Sequence, residues 1–276
     1  MRYSWQILDA GTIALDGGGM FGVVPKVLWE RSFPADEKNR ITLAHNCLLL
    51  KSEDGKRTVL IETGSGDKFG EKDKRIFGLG ERSIHNALAE ANADPGDLTN
   101  VVVSHLHFDH AGGLTKLDDD DPVLSFPNAV VHVQEREYRD AIDNRTVMSK
   151  TYLPENLAPL EKNLRLAKGD GEIMPGVYAF AVPGHTWGQQ AISFTDTSDR
   201  SIVFVPDVMP TASHVGRAYS MAFDVEPYTT SVTKKAMLRD AAKMNLHLVL
   251  AHEPKTPFVT VKEDGKGWYE LEPQTP

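Results

Sequence analysis

The sequence predicts an α+β fold, an αβ/βα sandwich in which two mixed β-sheets pack together and helices flank them. Short apolar runs alternate irregularly with amphipathic helical stretches, and candidate polar ligands gather at the ends of several runs. No internal repeat or low-complexity linker interrupts the pattern. At 276 residues the chain exceeds an average domain, yet layered folds of this length often form one unit. A single domain over 1–276 is expected, with an N-terminal segment 1–42, a ligand-bearing core 43–252 and a C-terminal hairpin 253–276.

Along the chain, Asp16-Gly17-Gly18-Gly19-Met20-Phe21 leads towards Trp29, and its glycines suggest a mobile turn. Met20, Phe21 and Trp29 are then expected to be exposed unless a substrate or a second subunit covers them. Residues 45–50 and 58–62 read as strands joined by Ser52-Glu53-Asp54-Gly55-Lys56, because Asp-Gly favours hairpin turns. Between 81 and 92, Ile84, Ala87, Leu88 and Ala91 recur at helical spacing until Asp94-Pro95-Gly96 stops them. Val101-Val102-Val103 is a short apolar strand that delivers Ser104 and a histidine-rich loop. Residues 129–133, 177–182, 202–205 and 246–250 are four more strands. The last three of these end near His185, Asp207 and His252. Helices are expected over 134–142 and 233–244, and 258–261 with 268–271 flank Asp264-Gly265-Lys266-Gly267 as a terminal hairpin.

Composition narrows the function. A net charge of −9 supplies no basic face for a phosphate backbone, so nucleic acid is excluded as a partner. No apolar run is long enough to enter a bilayer. Met1-Arg2-Tyr3-Ser4-Trp5-Gln6 lacks the features of a signal peptide, so a cytoplasmic location is expected. The one cysteine, Cys47, lies in Cys47-Leu48-Leu49-Leu50 and reads as a small core residue of a buried strand. Asp118-Asp119-Asp120-Asp121 lacks the spaced oxygens and glycine of a calcium loop and reads as a solvated turn.

The chemistry concentrates in residues 105–110, where His105, His107, Asp109 and His110 fall within six positions. Imidazole nitrogen and carboxylate oxygen are the donors that borderline divalent ions such as zinc prefer. Burying such groups is costly, and coordination of a metal offsets that cost.

Ser104-His105-Leu106-His107-Phe108-Asp109-His110-Ala111-Gly112-Gly113 resembles the HxHxDH signature of the metallo-β-lactamase superfamily. The resemblance continues in Thr63-Gly64, Pro183-Gly184-His185-Thr186, Phe204-Val205-Pro206-Asp207 and Ala251-His252, in the family's order. It implies two divalent metal ions, zinc foremost, with iron, manganese or cobalt also accepted by these donors. His105, His107 and His185 would hold one ion, Asp109, His110 and His252 the other, and Asp207 would bridge them. A water shared by the ions would fall in pKa towards 7 and attack as hydroxide, with Asp109 as the catalytic residue relaying a proton to the leaving group. Glu62, after its strand, is placed to hydrogen-bond a ligating histidine. His45, His85, His132 and His247 read as structural or surface histidines, whereas His214 follows Asp207 in a loop suited to substrate contact.

The family resemblance leaves the substrate open. Glyoxalase II enzymes need a helical C-terminal extension, and only 24 residues follow His252 here. RNase Z enzymes carry inserted domains or basic exosites, and class B β-lactamases generally lack the bridging aspartate. The segment from Asp16 to Trp29 looks like the leading segment of the YtnP-type branch of N-acyl homoserine lactonases, which implies a small-molecule lactone or ester substrate and a homodimer. Met20, Phe21, Phe108, His214 and Tyr219 are the candidate substrate contacts. Some lactonases place a tyrosine shortly after the bridging aspartate, but Val208-Met209-Pro210 stands here, leaving Tyr219 or Tyr228 as substitutes. The alternatives are a phosphotriesterase or arylesterase of the methyl-parathion-hydrolase type, then a diiron oxidoreductase or a non-catalytic metal-binding scaffold.

Overall fold

The chain begins with a long strand, β1 (Tyr3–Asp16), which runs antiparallel to β2 (Arg40–Ser52) and changes register between Asp9 and Thr12. The structure, a computed structural model, describes residues 1–148 and 150–276. Two short helices, α1 (Gly17–Phe21) and α2 (Lys26–Trp29), connect these strands. The Asp-Gly turn then returns the chain as β3 (Thr58–Ile61), antiparallel to β2. After α3 (Glu71–Phe77) and α4 (Ile84–Glu90) comes β4 (Asn100–Val102), parallel to β3. The single turn α5 (Phe108–Ala111) and the hairpin β5 (Thr115–Asp118) with β6 (Asp121–Leu124) follow. The acidic run forms the tip of that hairpin, with Asp119 and Asp120 at positive φ, the solvated turn expected. β7 (Val130–Gln134), α6 (Glu135–Ile142), α7 (Pro154–Leu157) and β8 (Leu164–Ala167) complete the first half.

The second half contributes β9 (Gly171–Met174), β10 (Val177–Ala181), β11 (Gln190–Thr195), β12 (Ser201–Val205), the helix α8 (Pro227–Met244), β13 (His247–Leu250), β14 (Phe258–Glu263) and β15 (Tyr269–Pro273). One six-stranded sheet has the order β1-β2-β3-β4-β7-β8, and one seven-stranded sheet the order β15-β14-β13-β12-β11-β10-β9. Both are mixed, since β3, β4, β7 and β8 run parallel in the first and β12 with β13 in the second.

Alternation along the strands explains the layers. Leu48 and Leu50 of β2 point between the sheets to meet Phe194, Phe204 and Val249, while Leu49 points outwards with Leu60 and Val101 onto Ile84 and Leu88 of α4. Val203, Val205 and Leu250 on the far side of the second sheet pack on Leu238 and Ala241 of α8. Each large aliphatic buried in this way stabilises the fold by roughly 1.5–3 kcal/mol. Cys47 lies on the outward face of β2, fully buried.

Three expectations are refined. Helix α4 starts at Ile84 rather than 81, because Ser83 and Asn86 form a reciprocal cap. Helix α8 starts at Pro227 rather than 233, with proline in its first turn and a polar stretch that hides the periodicity. In the N-terminal segment the glycines lie in helix α1 rather than a turn, and Met20, Phe21 and Trp29 pack on their own chain instead of being exposed, at 1%, 0% and 2%. The glycines serve close packing instead. A Cβ at Gly17 would lie 2.4 Å from the Trp29 ring, and one at Gly19 would lie 2.5 Å from Phe223. No helix among the described residues is long and apolar enough to cross a membrane.

Candidate metal centre

Strand ends and the loops that follow them place every donor. Glu62 closes β3 at φ 68, a left-handed conformation unusual for a side chain of this size, and its carboxylate accepts from the Ser104 amide at 2.5 Å. That contact fixes the exit of β4 into the 105–110 loop. Gly66 and Gly112 let the neighbouring loop close directly onto it, since a Cβ at Gly112 would lie 2.1 Å from the Ser65 carbonyl oxygen. Asp109 and His110 fall on α5, and His185, Asp207 and His252 follow β10, β12 and β13.

The seven residues read from the sequence come together. His105, His107 and His185 form one group of converging donors, Asp109, His110 and His252 a second, and Asp207 lies against both, grouped with His105 and His110. All seven are buried. His185 Nε2 and His107 Nδ1 are 2.9 Å apart, and His252 Nε2 and His110 Nε2 3.0 Å apart. Asp207 turns Oδ2 to His185 Nε2 at 3.3 Å and Oδ1 to His252 Nε2 at 3.3 Å and His110 Nε2 at 3.5 Å.

The outer nitrogens are held as well. His110 Nδ1 donates to Glu62 Oε2 at 2.8 Å, His185 Nδ1 to Asp224 Oδ1 at 3.0 Å, and His252 Nδ1 to the Ala44 carbonyl at 2.8 Å. Because these acceptors offer no proton, each imidazole carries its hydrogen on Nδ1 and directs the Nε2 lone pair inwards. Lone pairs facing each other at 3.0 Å repel unless a cation binds them. His105 Nε2 and Asp207 Oδ1 are buried without a hydrogen-bond partner, which also fits a cation.

Electrostatics agree. Burial, reinforced by neighbouring imidazoles, lowers His105 and His107 well below the ordinary histidine range, and so keeps them neutral as ligands must be. Burial acts the same way on His110, His185 and His252, but the surrounding carboxylates, Asp207 prominent among them, outweigh it and raise all three. Burial would raise Asp207, yet His252, His110 and His185 hold it well below the usual carboxylate range. The field of the site therefore favours positive charge. Nitrogen and carboxylate donors, inward lone pairs and unpartnered buried atoms together fit divalent metal ions.

A cavity of about 340 Å³ opens onto His107, Asp109, His185, Asp207 and His252, with apolar walls that include Met20, Phe77, Phe108, Met221 and Phe223. A larger groove of about 450 Å³ between β10, β11 and α8 lies on another face and contains no histidine. Of the candidate substrate contacts, Met20 and Phe108 line the metal-side cavity. Phe21, His214 and Tyr219 do not. Phe21 is stacked between Trp29 at 5.2 Å and His214 at 4.8 Å, with Tyr219 edge-on at 6.0 Å. His214 Nε2 donates to the Met20 carbonyl at 2.9 Å and Nδ1 accepts from Thr211 Oγ1 at 2.7 Å, so it steadies the wall from behind. Tyr228 is 77% exposed. Sequence reasoning missed Asp224, Glu137 and Tyr152, none of which stands at a spacing that ties it to the ligands.

Buried nitrogen and carboxylate donors at the floor of an apolar cavity, on the strand ends of an αβ/βα sandwich, define a metal-dependent hydrolase. Residues 40–241 match the metallo-beta-lactamase superfamily, and the chain belongs to that superfamily. An N-acyl homoserine lactonase of Bacillus thuringiensis is 28% identical over 200 residues, covering 68% of this chain and 73% of that protein. A probable metal-dependent hydrolase from Staphylococcus aureus is 30% identical and superposes with a TM-score of 0.87 over 100% of this chain and 99% of its own. A dizinc quorum-quenching lactonase solved with a product, 19% identical, shares the fold with a TM-score of 0.81 over 99% of this chain and 95% of its own.

Proposed function

We propose that the protein is a dinuclear lactonase that opens N-acyl homoserine lactones or similar apolar lactones and esters. His105, His107 and His185 would hold one ion, and Asp109, His110 and His252 the other, with Asp207 shared. The observation that carries this reading is Asp207, whose Oδ2 faces His185 of one group while Oδ1 faces His110 and His252 of the other. Zinc heads the candidates on donor chemistry, and iron, manganese and cobalt remain compatible. Bound ions of this kind supply Lewis acidity that polarises an ester carbonyl and acidifies water.

The chain's own residues do the rest. Asp109 Oδ2 lies 3.6 Å from His252 Nε2 and 3.8 Å from His110 Nε2, and its carboxyl reaches the cavity. It is the group placed to carry a proton to the departing alkoxide. Met20 and Phe108 form apolar wall for the acyl side and exclude water from the floor. Phe21, His214 and Tyr219 set the position of Met20 rather than touching substrate.

The similarity to N-acyl homoserine lactonases supports the substrate class. A second reading, a phosphotriesterase or arylesterase of the methyl-parathion-hydrolase type, draws on one feature: among the described residues no tyrosine lines the cavity to assist a lactone carbonyl. Stripping the metal, restoring zinc, and assaying acyl homoserine lactones of graded chain length beside paraoxon separates the two. Zinc-dependent ring opening is expected to exceed paraoxon hydrolysis. Paraoxon dominance would replace the lactonase reading, and inactivity on both at full metal occupancy would end the ester-hydrolase reading. The same proposal includes a homodimer through the N-terminal segment and a cytoplasmic location, to which the lone buried Cys47 is suited.

A further inference from the structure

Glu137, in the first turn of α6, is 0% exposed. A carboxylate so deeply buried is tolerated only when its oxygens are satisfied. Here the Leu106 amide and the Tyr152 hydroxyl each donate to Oε1 at 3.0 Å, and the Thr186 hydroxyl donates to Oε2 at 2.6 Å. Leu106 stands between His105 and His107, and Thr186 follows His185. The Tyr152 ring packs 5.0 Å from the His107 ring. One carboxylate therefore touches the chain beside every member of the His105, His107 and His185 group. None of these bonds reaches a neighbour of Asp109, His110 or His252.

The approach of the second loop is built for this contact. A Cβ at Gly188 would lie 2.2 Å from the Glu137 backbone nitrogen, so the 185–189 loop can seat on α6 only with glycine there. Glu62 is placed differently, since it accepts from His110 Nδ1 of the other donor group and also from the Ser104 amide next to His105. Glu137 touches no ligand, and it acts only through the loops that carry them.

We propose that Glu137 is a positioning residue for the His105–His107–His185 ion position alone, whereas Glu62 bears on both positions. This rests on the two-ion reading above. Misplacing metal ligands by loosening what orients them typically costs 10–100-fold in affinity. A residue acting on one group only would weaken one binding constant and spare the other.

The experiment is a zinc titration of metal-stripped protein against a chromophoric chelator, resolving two dissociation constants, with thermal melting of each metal-free variant alongside. For Glu137→Ala, one constant is expected to weaken by about 10–100-fold while the other stays within about threefold. Glu62→Gln, which loses the charge facing His110 Nδ1, is expected to weaken the constant that Glu137→Ala spares. Glu137→Gln keeps an amide oxygen for Leu106 and Tyr152 and can donate to Thr186 Oγ1, so it is expected to restore affinity to within about threefold of wild type. If Glu137→Ala does not fold, Thr186→Val and Tyr152→Phe, each removing one bond, decide the matter by weakening the same single constant. Equal weakening of both constants by Glu137→Ala, weakening of neither, or no rescue by glutamine would overturn the inference. A wild-type protein that binds a single zinc would overturn the two-ion reading itself.

Discussion

Asp224 holds His185 Nδ1 through Oδ1 at 3.0 Å and the Met221 amide through Oδ2 at 3.1 Å, so it orients one of the proposed ligands and ties down the cavity wall at once. Asp224→Asn keeps the shape but removes the charge that strengthens the imidazole as a donor. Zinc affinity, read by chelator competition, is expected to fall about 10–100-fold with the circular dichroism spectrum unchanged. Unaltered affinity would show that His185 needs no carboxylate behind it. The clustered histidine and aspartate donors were legible because coordination demands particular residue types, and four of them share one short loop after an apolar strand. Glu62 was legible too, since its place directly after β3 puts it beside that loop. Asp224 and Glu137 were not: they lie 39 residues from His185 and 31 from Leu106, and only the packing of distant loops joins them. Nor could spacing show that Phe21 faces Trp29 and His214 rather than the cavity.

At the scale of elements, α1 is five residues long and cannot stand alone. Asp16 Oδ1 caps it by accepting from the Gly19 amide at 2.7 Å, and His214 secures its end through the Met20 carbonyl. Thr211 Oγ1 donates to His214 Nδ1 in the same arrangement, so the imidazole must remain neutral. Burial accordingly lowers His214 to about 4. An unfolded histidine titrates near 6.5, so between these values the unfolded chain binds the extra proton and acid favours unfolding. The stability tied to neutral His214 is complete above about pH 6.5 and lost as pH falls towards 4, amounting to about 3 kcal/mol at most. Denaturant midpoints of zinc-free protein at pH 7 and pH 5 are expected to separate more for wild type than for His214→Gln. Parallel pH slopes would remove His214 from this role. The same segment shows why elements were harder to read than ligands. A glycine run signals freedom in isolation, but here the missing side chains admit the Trp29 and Phe223 rings, a demand set by partners far along the chain.

The whole molecule was legible as a sandwich because its central strands are apolar on both faces, which only burial between a second sheet and a helix layer can accommodate. Long β1 escaped notice, since its burial alternates irregularly around the register change between Asp9 and Thr12. The fold nevertheless leaves one face of the N-terminal segment unspent. While α2 turns Trp29 inwards, Val23, Val27 and Leu28 are 86%, 70% and 48% exposed on the same short stretch. Burying an aliphatic side chain contributes roughly 1.5–3 kcal/mol, so the six that two copies bring together are comparable with the roughly 4–15 kcal/mol lost in joining two bodies. Each copy also carries a net charge of −9, and screening of that repulsion should tighten the pair. Sedimentation equilibrium is expected to show a dimer whose dissociation constant falls between 0.05 and 0.5 M salt, over which the Debye length shortens about threefold. Val23→Glu with Val27→Glu places charge inside the patch and is expected to yield monomer with an unchanged circular dichroism spectrum. A wild-type monomer at micromolar concentration in high salt, or a dimer indifferent to both substitutions, would take the N-terminal segment out of any assembly.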